Sequence, residues 1–292
     1  MKGMDKVRLD VLLVERGLVP SREAGRRMIM AGQVHVDGTC SDKPGQRVGA
    51  DALITLESGP PYVSRGGLKL EAALKRFDVD VRGWVAADVG ASTGGFTDCL
   101  LQRGANRVYA IDVGYGLLAW SLRQDSRVVV MERTNARHLQ ALPEPVDLVT
   151  IDASFISLRL LLPAAARWLH HDGTVLPLIK PQFEAGRQRV GKGGVVRDPA
   201  VHRQVLTDLL RWAEAQGWSV WGLMVSPLLG PAGNAEFLAY LRVGIPSRLE
   251  LDAALEAAVS EAQDLRTRTR RSAVQPGASV PRCLDEGSGG VR

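Results

Sequence analysis

Residues 88–96 read "DVGASTGGF". They close an apolar run, "WVAADVGA", and open a run with helical spacing. A glycine turn between strand and helix is where an open α/β sheet lets a ligand approach its backbone. Dinucleotide sites use Gly-x-Gly-x-x-Gly there, and phosphate loops use Gly-x4-Gly-Lys followed by Ser or Thr. Here the middle glycine is missing, and Phe96 stands where the phosphate loop has its lysine. Both phosphate readings are weakened. A nucleoside ligand without phosphates, S-adenosylmethionine, fits better. Its candidate contacts are Asp88, Gly90, Ala91, Ser92, Gly94, Gly95 and Phe96. A tight turn with no ligand is the alternative.

Outward from this turn, apolar runs alternate with helical ones. The strand-like runs are "WVAADVGA", "RVYAIDVG", "RVVVMERT", "VDLVTIDAS", "TVLPLIKP", "SVWGLMVSP" and "EFLAYLRV". Seven such strands separated by helices predict a mostly parallel sheet covered on both faces. The result is a doubly wound, Rossmann-like α/β domain over residues 68–247. Asp112 ends the second strand, where an acid accepts the ribose hydroxyls of an adenosine. Asn135 follows the third and is placed to bond an adenine edge.

Residues 174–183, "TVLPLIKPQF", end an apolar strand in Lys180. Lysine is among the residues least often buried. Asp152 ends the preceding strand, so the two charges fall on neighbouring strand ends beside the glycine turn. A single charge there is usually a snorkelling side chain. Two of opposite sign beside a binding loop point to a site. Pro181 is expected to keep a helix from starting before the amine is fixed. Glu236 stands at the entry to the last strand, and Lys69 on the helix before the first.

Residues 5–58 form a separate small α+β unit. "KVRLDVLLVERGLV" has helical spacing and stops at Gly17; "PSREAGRRMIMAG" opens on Ser21 as N-cap and closes on Gly32. "QVHVDG" turns on Asp37-Gly38, a hairpin signal, and "RVGADALITLES" predicts one further strand. Arg8, Arg22, Arg26, Arg27 and, beyond this unit, Arg65 are candidate phosphate contacts. A solvated helix face is the alternative for the arginines of the second helix. Residues 59–67 are a linker punctuated by Gly59, Pro60 and Pro61. Residues 248–292 predict a helix followed by a disordered tail beginning "RTRTRR".

The net charge of +5 mildly favours a polyanionic partner. The three cysteines are odd in number, far apart and without metal-ligand spacing; they read as reduced thiols in a cytoplasmic protein. No signal core or membrane-length apolar stretch stands out.

The strings "RLDVLLVERGLVPSREAGRRMIMAGQVHVDG", "PYVSRGGLKL", "DVGASTGGFTDCLL", "GVVRDP" and "SPLLGPAGNAEF" together resemble the TlyA, or haemolysin A, family of ribosomal RNA 2′-O-methyltransferases. The resemblance runs from about residue 5 to 247. It implies an S-four-type RNA-binding domain joined to an FtsJ-like methyltransferase domain. It implies S-adenosylmethionine as cofactor and ribosomal RNA or ribosomal subunits as partner, with no obligate protein partner and no metal. It also implies a catalytic Lys-Asp-Lys-Glu set falling on Lys69, Asp152, Lys180 and Glu236. Burial and a second cation lower a lysine's pKa, so Lys180 is expected to act as base or hydroxyl-positioner, with Lys69 as its partner. The competing expectations are a membrane-active haemolysin, a nicotinamide-dependent dehydrogenase, and an RNA-binding protein with an inactive enzymatic domain.

Overall fold

The structure is a computed structural model and describes residues 6–57, 59–247 and 249–274. The described residues up to 60 and those from 61 to 273 form two compact units.

In the first unit, strand β1 (Lys6–Arg8) leads directly into helix α1 (Leu9–Glu15), and α2 (Arg22–Met30) follows. The expected first helix therefore loses its first residues to a strand. Val7 pairs with Val48, far along the chain. Ser21 accepts a hydrogen bond from the Ala24 N–H and caps α2. Strands β2 (Val34–Val36) and β3 (Thr39–Cys40) form the expected hairpin. Asp37 and Gly38 both have positive φ, as a type I′ turn requires. The single strand expected in "RVGADALITLES" is two: β4 (Arg47–Gly49) pairs with β1, while β5 (Ile54–Leu56) pairs with β2. Leu9, Leu13, Ile29 and Val34 are fully buried at the centre of this unit.

The second unit opens with α3 (Gly66–Arg76) and β6 (Val85–Val89). It continues through α4 (Gly95–Gln102), β7 (Arg107–Ile111), α5 (Trp120–Arg123), β8 (Val128–Met131) and β9 (Val146–Ile151). Then come α6 (Leu162–Trp168), β10 (Leu169–Ile179), α7 (Pro181–Glu184), α8 (Pro199–Ala215), β11 (Trp218–Val225), β12 (Phe237–Val243) and α9 (Leu251–Val274). The seven strands form one sheet in the order β11-β12-β10-β9-β6-β7-β8. All are parallel except β12, which runs antiparallel to both of its neighbours. Successive strand residues point to opposite faces. Ala87, Val89, Val149 and Val175 join a core with α6 and α8, while Ala86, Val108, Leu148 and Leu176 join one with α3 and α4. Both faces are covered, as a parallel sheet requires.

The C-terminal segment departs from expectation. Helix α9 packs Leu255, Ala258 and Ala262 into the first of these cores. It also runs through "RTRTRRSAV", which was expected to be disordered. The rest of the expected tail, residues 275–292, lies outside the described residues. Cys99 is a free buried thiol, and Cys283 lies outside the described residues.

Asp10 organises the arginines of the first unit. It is fully buried in the first turn of α1. Its carboxylate accepts two 3.0 Å hydrogen bonds from Arg8 and one of 2.9 Å from Arg22. The Arg8 guanidinium beside it is the main reason its pKa falls from 3.8 to about 2. A depressed carboxyl pKa gives stability that is present above about 3.8 and lost as pH falls toward 2. The partly exposed arginines are screened, so the expected contribution is about 1–2 kcal/mol. Asp10→Asn is expected to speed amide exchange in α1 and α2 at pH 7, with the difference from wild type shrinking below pH 4. Equal exchange at pH 7 would remove this role.

Candidate active site

The strand order reverses between β6 and β9: the chain continues from β6 to β7 and β8 on one side, then returns to β9 on the other. Open α/β sheets hold ligands in the crevice beyond the carboxyl ends of strands at such a reversal. Gly90, at the end of β6, has φ +82°. A Cβ there would lie 2.7 Å from the Asp152 carbonyl oxygen. Only glycine lets the turn pass the end of β9 this closely. Gly95 is needed for another approach, since a Cβ there would lie 2.3 Å from the Ser64 Oγ.

Two cavities meet at this turn, and both are lined by Gly90, Ser92, Asp152 and Ser154. The larger, about 380 Å³, extends past Ile111, Leu117 and Phe155 to Asp112 and Asn135. Asp112 Oδ2 accepts from the Ser92 N–H at 2.8 Å and Oδ1 from the Gly114 N–H at 2.7 Å. These bonds fix the carboxylate, and each oxygen keeps a lone pair for a ligand. Asn135 Oδ1 accepts from the Arg137 N–H, capping the short 3-10 turn Ala136–His138. Apolar walls with one fixed carboxylate and one amide suit a nucleoside without phosphates.

The smaller cavity, about 290 Å³, is lined by Lys69, Lys180, Arg65, Ala91, Gly95 and Phe96 among others. Lys180 Nζ lies 2.6 Å from Asp152 Oδ1 and donates to Ser154 Oγ at 3.0 Å. Lys69 Nζ donates to Glu236 Oε2 at 2.5 Å. Lys69, Lys180 and Glu236 are all buried. The four charges therefore form two ion pairs. Glu236 enters this edge because Phe237, next to it on antiparallel β12, pairs with Ile179, next to Lys180 on β10. As expected, Pro181 keeps the helix from starting earlier: it occupies the first turn of α7, and Lys180 stays extended as the N-cap.

Two expected cofactor contacts line neither cavity. Asp88 is fully buried and accepts hydrogen bonds from the Thr97 N–H and hydroxyl and from the Thr150 hydroxyl. Burial pushes its carboxyl up to about 6, against the pull of those hydrogen bonds. It ties β6, β9 and α4 together. Gly94, at φ +97°, faces Leu122, whose Cδ1 would lie 2.2 Å from a Cβ. Ala91, Gly95 and Phe96 line the lysine cavity and not the larger one. Of the arginine candidates, Arg8 and Arg22 are bonded to Asp10. Arg26 is exposed, and exposed Arg27 lies 3.8 Å from Glu23. Arg65 is exposed and lines the lysine cavity.

Sequence reasoning missed Ser154 and Glu184. Ser154 stands two residues after Asp152, in reach of the Lys180 amine, and its place past a strand end was a usable signal. Glu184 accepts from the Ser157 hydroxyl at 2.7 Å and the Leu158 N–H at 2.8 Å. It thereby ties α7 to the segment after Asp152, which no local pattern reveals.

Residues 62–243 match the FtsJ-like methyltransferase family and residues 7–54 the S4 domain. The chain is 46% identical over 263 residues to the 16S/23S rRNA (cytidine-2'-O)-methyltransferase TlyA of Mycobacterium tuberculosis, covering 88% of this chain and 98% of that one. It is 37% identical to Hemolysin A of Brachyspira hyodysenteriae, covering 80% and 99%. A solved structure of a Streptococcus thermophilus protein named as a hemolysin superposes with a TM-score of 0.70 at 43% identity, covering 92% of this chain and all of that one.

Gly90→Ala is expected to weaken S-adenosylmethionine binding at least about tenfold by calorimetry, because the new methyl group meets backbone at positive φ. Far-UV circular dichroism should be unchanged. Unaltered affinity would show that the turn does not shape the ligand site.

Proposed function

The chain belongs to the FtsJ-like methyltransferase family and carries an S4 domain ahead of it, and from that premise we infer that it methylates the ribose 2′-hydroxyl of ribosomal RNA, using S-adenosylmethionine. The curated TlyA relative acts on cytidines, and cytidine is the target we assign here. The observation that carries the reading is the junction of the two cavities. A nucleoside-shaped site and a site with two buried lysines share Gly90, Ser92, Asp152 and Ser154.

When bound, S-adenosylmethionine supplies a methyl group on a positively charged sulfur that leaves readily. The protein's task is then mainly alignment. Gly90 and Ser92 form the floor between the cavities, while Asp112 and Asn135 hold the nucleoside end. Lys180 faces the incoming hydroxyl. As an ammonium with three N–H donors, it donates one to Ser154 and is ion-paired to Asp152, which leaves a donor for the substrate oxygen. As a positioner it donates that bond and the hydroxyl proton leaves to water. The base role requires the neutral amine instead, whose Nζ lone pair takes the hydroxyl proton and becomes the ammonium. Lys69, held by Glu236, supplies the second positive charge in the cavity. Exposed Arg26, Arg27 and Arg65 are proposed to contact phosphates, and the S4 domain to recognise folded RNA or a ribosomal subunit. No described helix is long and apolar enough to cross a membrane; a cytoplasmic location follows from the proposed substrate.

Lys180→Ala is expected to lower methyl transfer to ribosomal RNA by at least about 100-fold. S-adenosylmethionine affinity should stay within about threefold. Mapping 2′-O-methyl cytidines after incubation with each protein gives the readout. Wild-type transfer by the variant would remove Lys180 from the reaction.

A further inference from the structure

Residues 186–197, "GRQRVGKGGVVR", carry Arg187, Arg189, Lys192 and Arg197 and no acid. The whole chain has 37 bases and 32 acids, so the other residues hold 33 bases against 32 acids. This one segment supplies four of the five net charges. All four side chains are exposed, and none forms an ion pair among the described residues. The nearest acids are committed elsewhere or stand apart. Glu184 is bonded to Ser157 and Leu158, and Asp198 caps α8. Glu184 and Asp208 share a cavity of about 160 Å³ with Arg189 without pairing to it.

The base of the segment is held firmly while its tip is free. Val195 and Val196 are buried. The Val196 N–H donates to Asn234 Oδ1, and Asn234 Nδ2 donates to the Gly194 carbonyl, both at 2.9 Å. Asn234 is itself buried, two residues before Glu236. At the other end the segment follows α7, which begins just after Lys180. Gly193 and Gly194 reverse the chain at positive φ, with open space where a Cβ would be. The loop is thus anchored at both ends to the two strand ends that carry Lys180 and Glu236.

We propose that the 186–197 loop is a phosphate clamp, in which Arg187, Arg189 and Lys192 grip the RNA backbone beside the nucleotide presented to Lys180. The proposal rests on the RNA-methylation reading. Unpaired exposed cations on an anchored loop give backbone contacts that set register without reading sequence. Each phosphate neutralised adds about 0.7–0.9 to the slope of log K against log salt.

The test replaces Arg187, Arg189 and Lys192 together by alanine. A control carries Arg187→Lys and Arg189→Lys, which keep the charge. The substrate is the ribosomal RNA or subunit preparation that the wild-type protein methylates. The triple alanine variant is expected to raise the RNA KM at least about tenfold and to lower the salt slope by about 2–3. Its S-adenosylmethionine affinity should equal that of wild type, which also shows that it folds, and the lysine control should keep the wild-type slope. A triple variant with wild-type KM and salt slope overturns the clamp alone. A wild-type protein that binds S-adenosylmethionine but methylates no ribosomal RNA overturns the functional reading, and the clamp with it.

Discussion

The site depends on one close approach, that of the Gly90 backbone to the Asp152 carbonyl. A sheet whose strand order reverses must bring the end of its first strand beside the end of its fourth. Here the two ends are packed so tightly that a single methyl group would collide with the main chain. This contact places the glycine turn, Asp112 and the Asp152–Lys180 pair around one point. Asp88 supports it from beneath by joining β6, β9 and α4 through Thr97 and Thr150. Its burial and its three hydrogen bonds suit a structural tie between these elements.

The two ion pairs differ in what they ask of the protein. Lys69 and Glu236 are both removed from water, so their attraction largely offsets the cost of desolvating them. Removing either partner would leave a buried charge, a penalty of about 3–5 kcal/mol. That makes the pair a poor source of net stability and a strong constraint on geometry. Asp152 is less buried than Glu236, and its lysine is shared with Ser154. Asp152 lines both cavities, whereas Glu236 lines neither of them.

The seven strands were legible because buried parallel strands read as unbroken apolar runs. The hairpin at Asp37-Gly38 was legible because its turn demands positive φ. Residues whose state is set by distant partners were not. Val7 reads as helix by spacing and is a strand because Val48 lies opposite it. "RVGADALITLES" reads as one strand and is split between two sheets. At the site, Lys180 stood out because an ammonium at the end of an apolar strand must find a partner or reach water, and Asp152 followed from strand order. The link between Lys69 and Glu236 joins residues 167 positions apart. Spacing could not supply it: both residues were noted by position, but only the family resemblance joined them in one set. Glu184 was missed for the same reason. Arg8 and Arg22 look like phosphate contacts by charge and spacing, yet nothing local reveals that buried Asp10 holds them.

The antiparallel course of β12 has an architectural consequence. Every parallel strand presents its last residue at the ligand edge of the sheet; β12 alone presents its first. The β11–β12 hairpin can therefore be regarded as a module added beside β10. The strands from β6 to β10 already frame the glycine turn, the nucleoside cavity and the Asp152–Lys180 pair. What the hairpin and its connecting loop contribute is Glu236, which fixes the second lysine, and Leu228, Leu229 and Pro231, which line the lysine cavity. The nucleoside-shaped cavity and the completion of the charged one thus fall to different parts of one sheet.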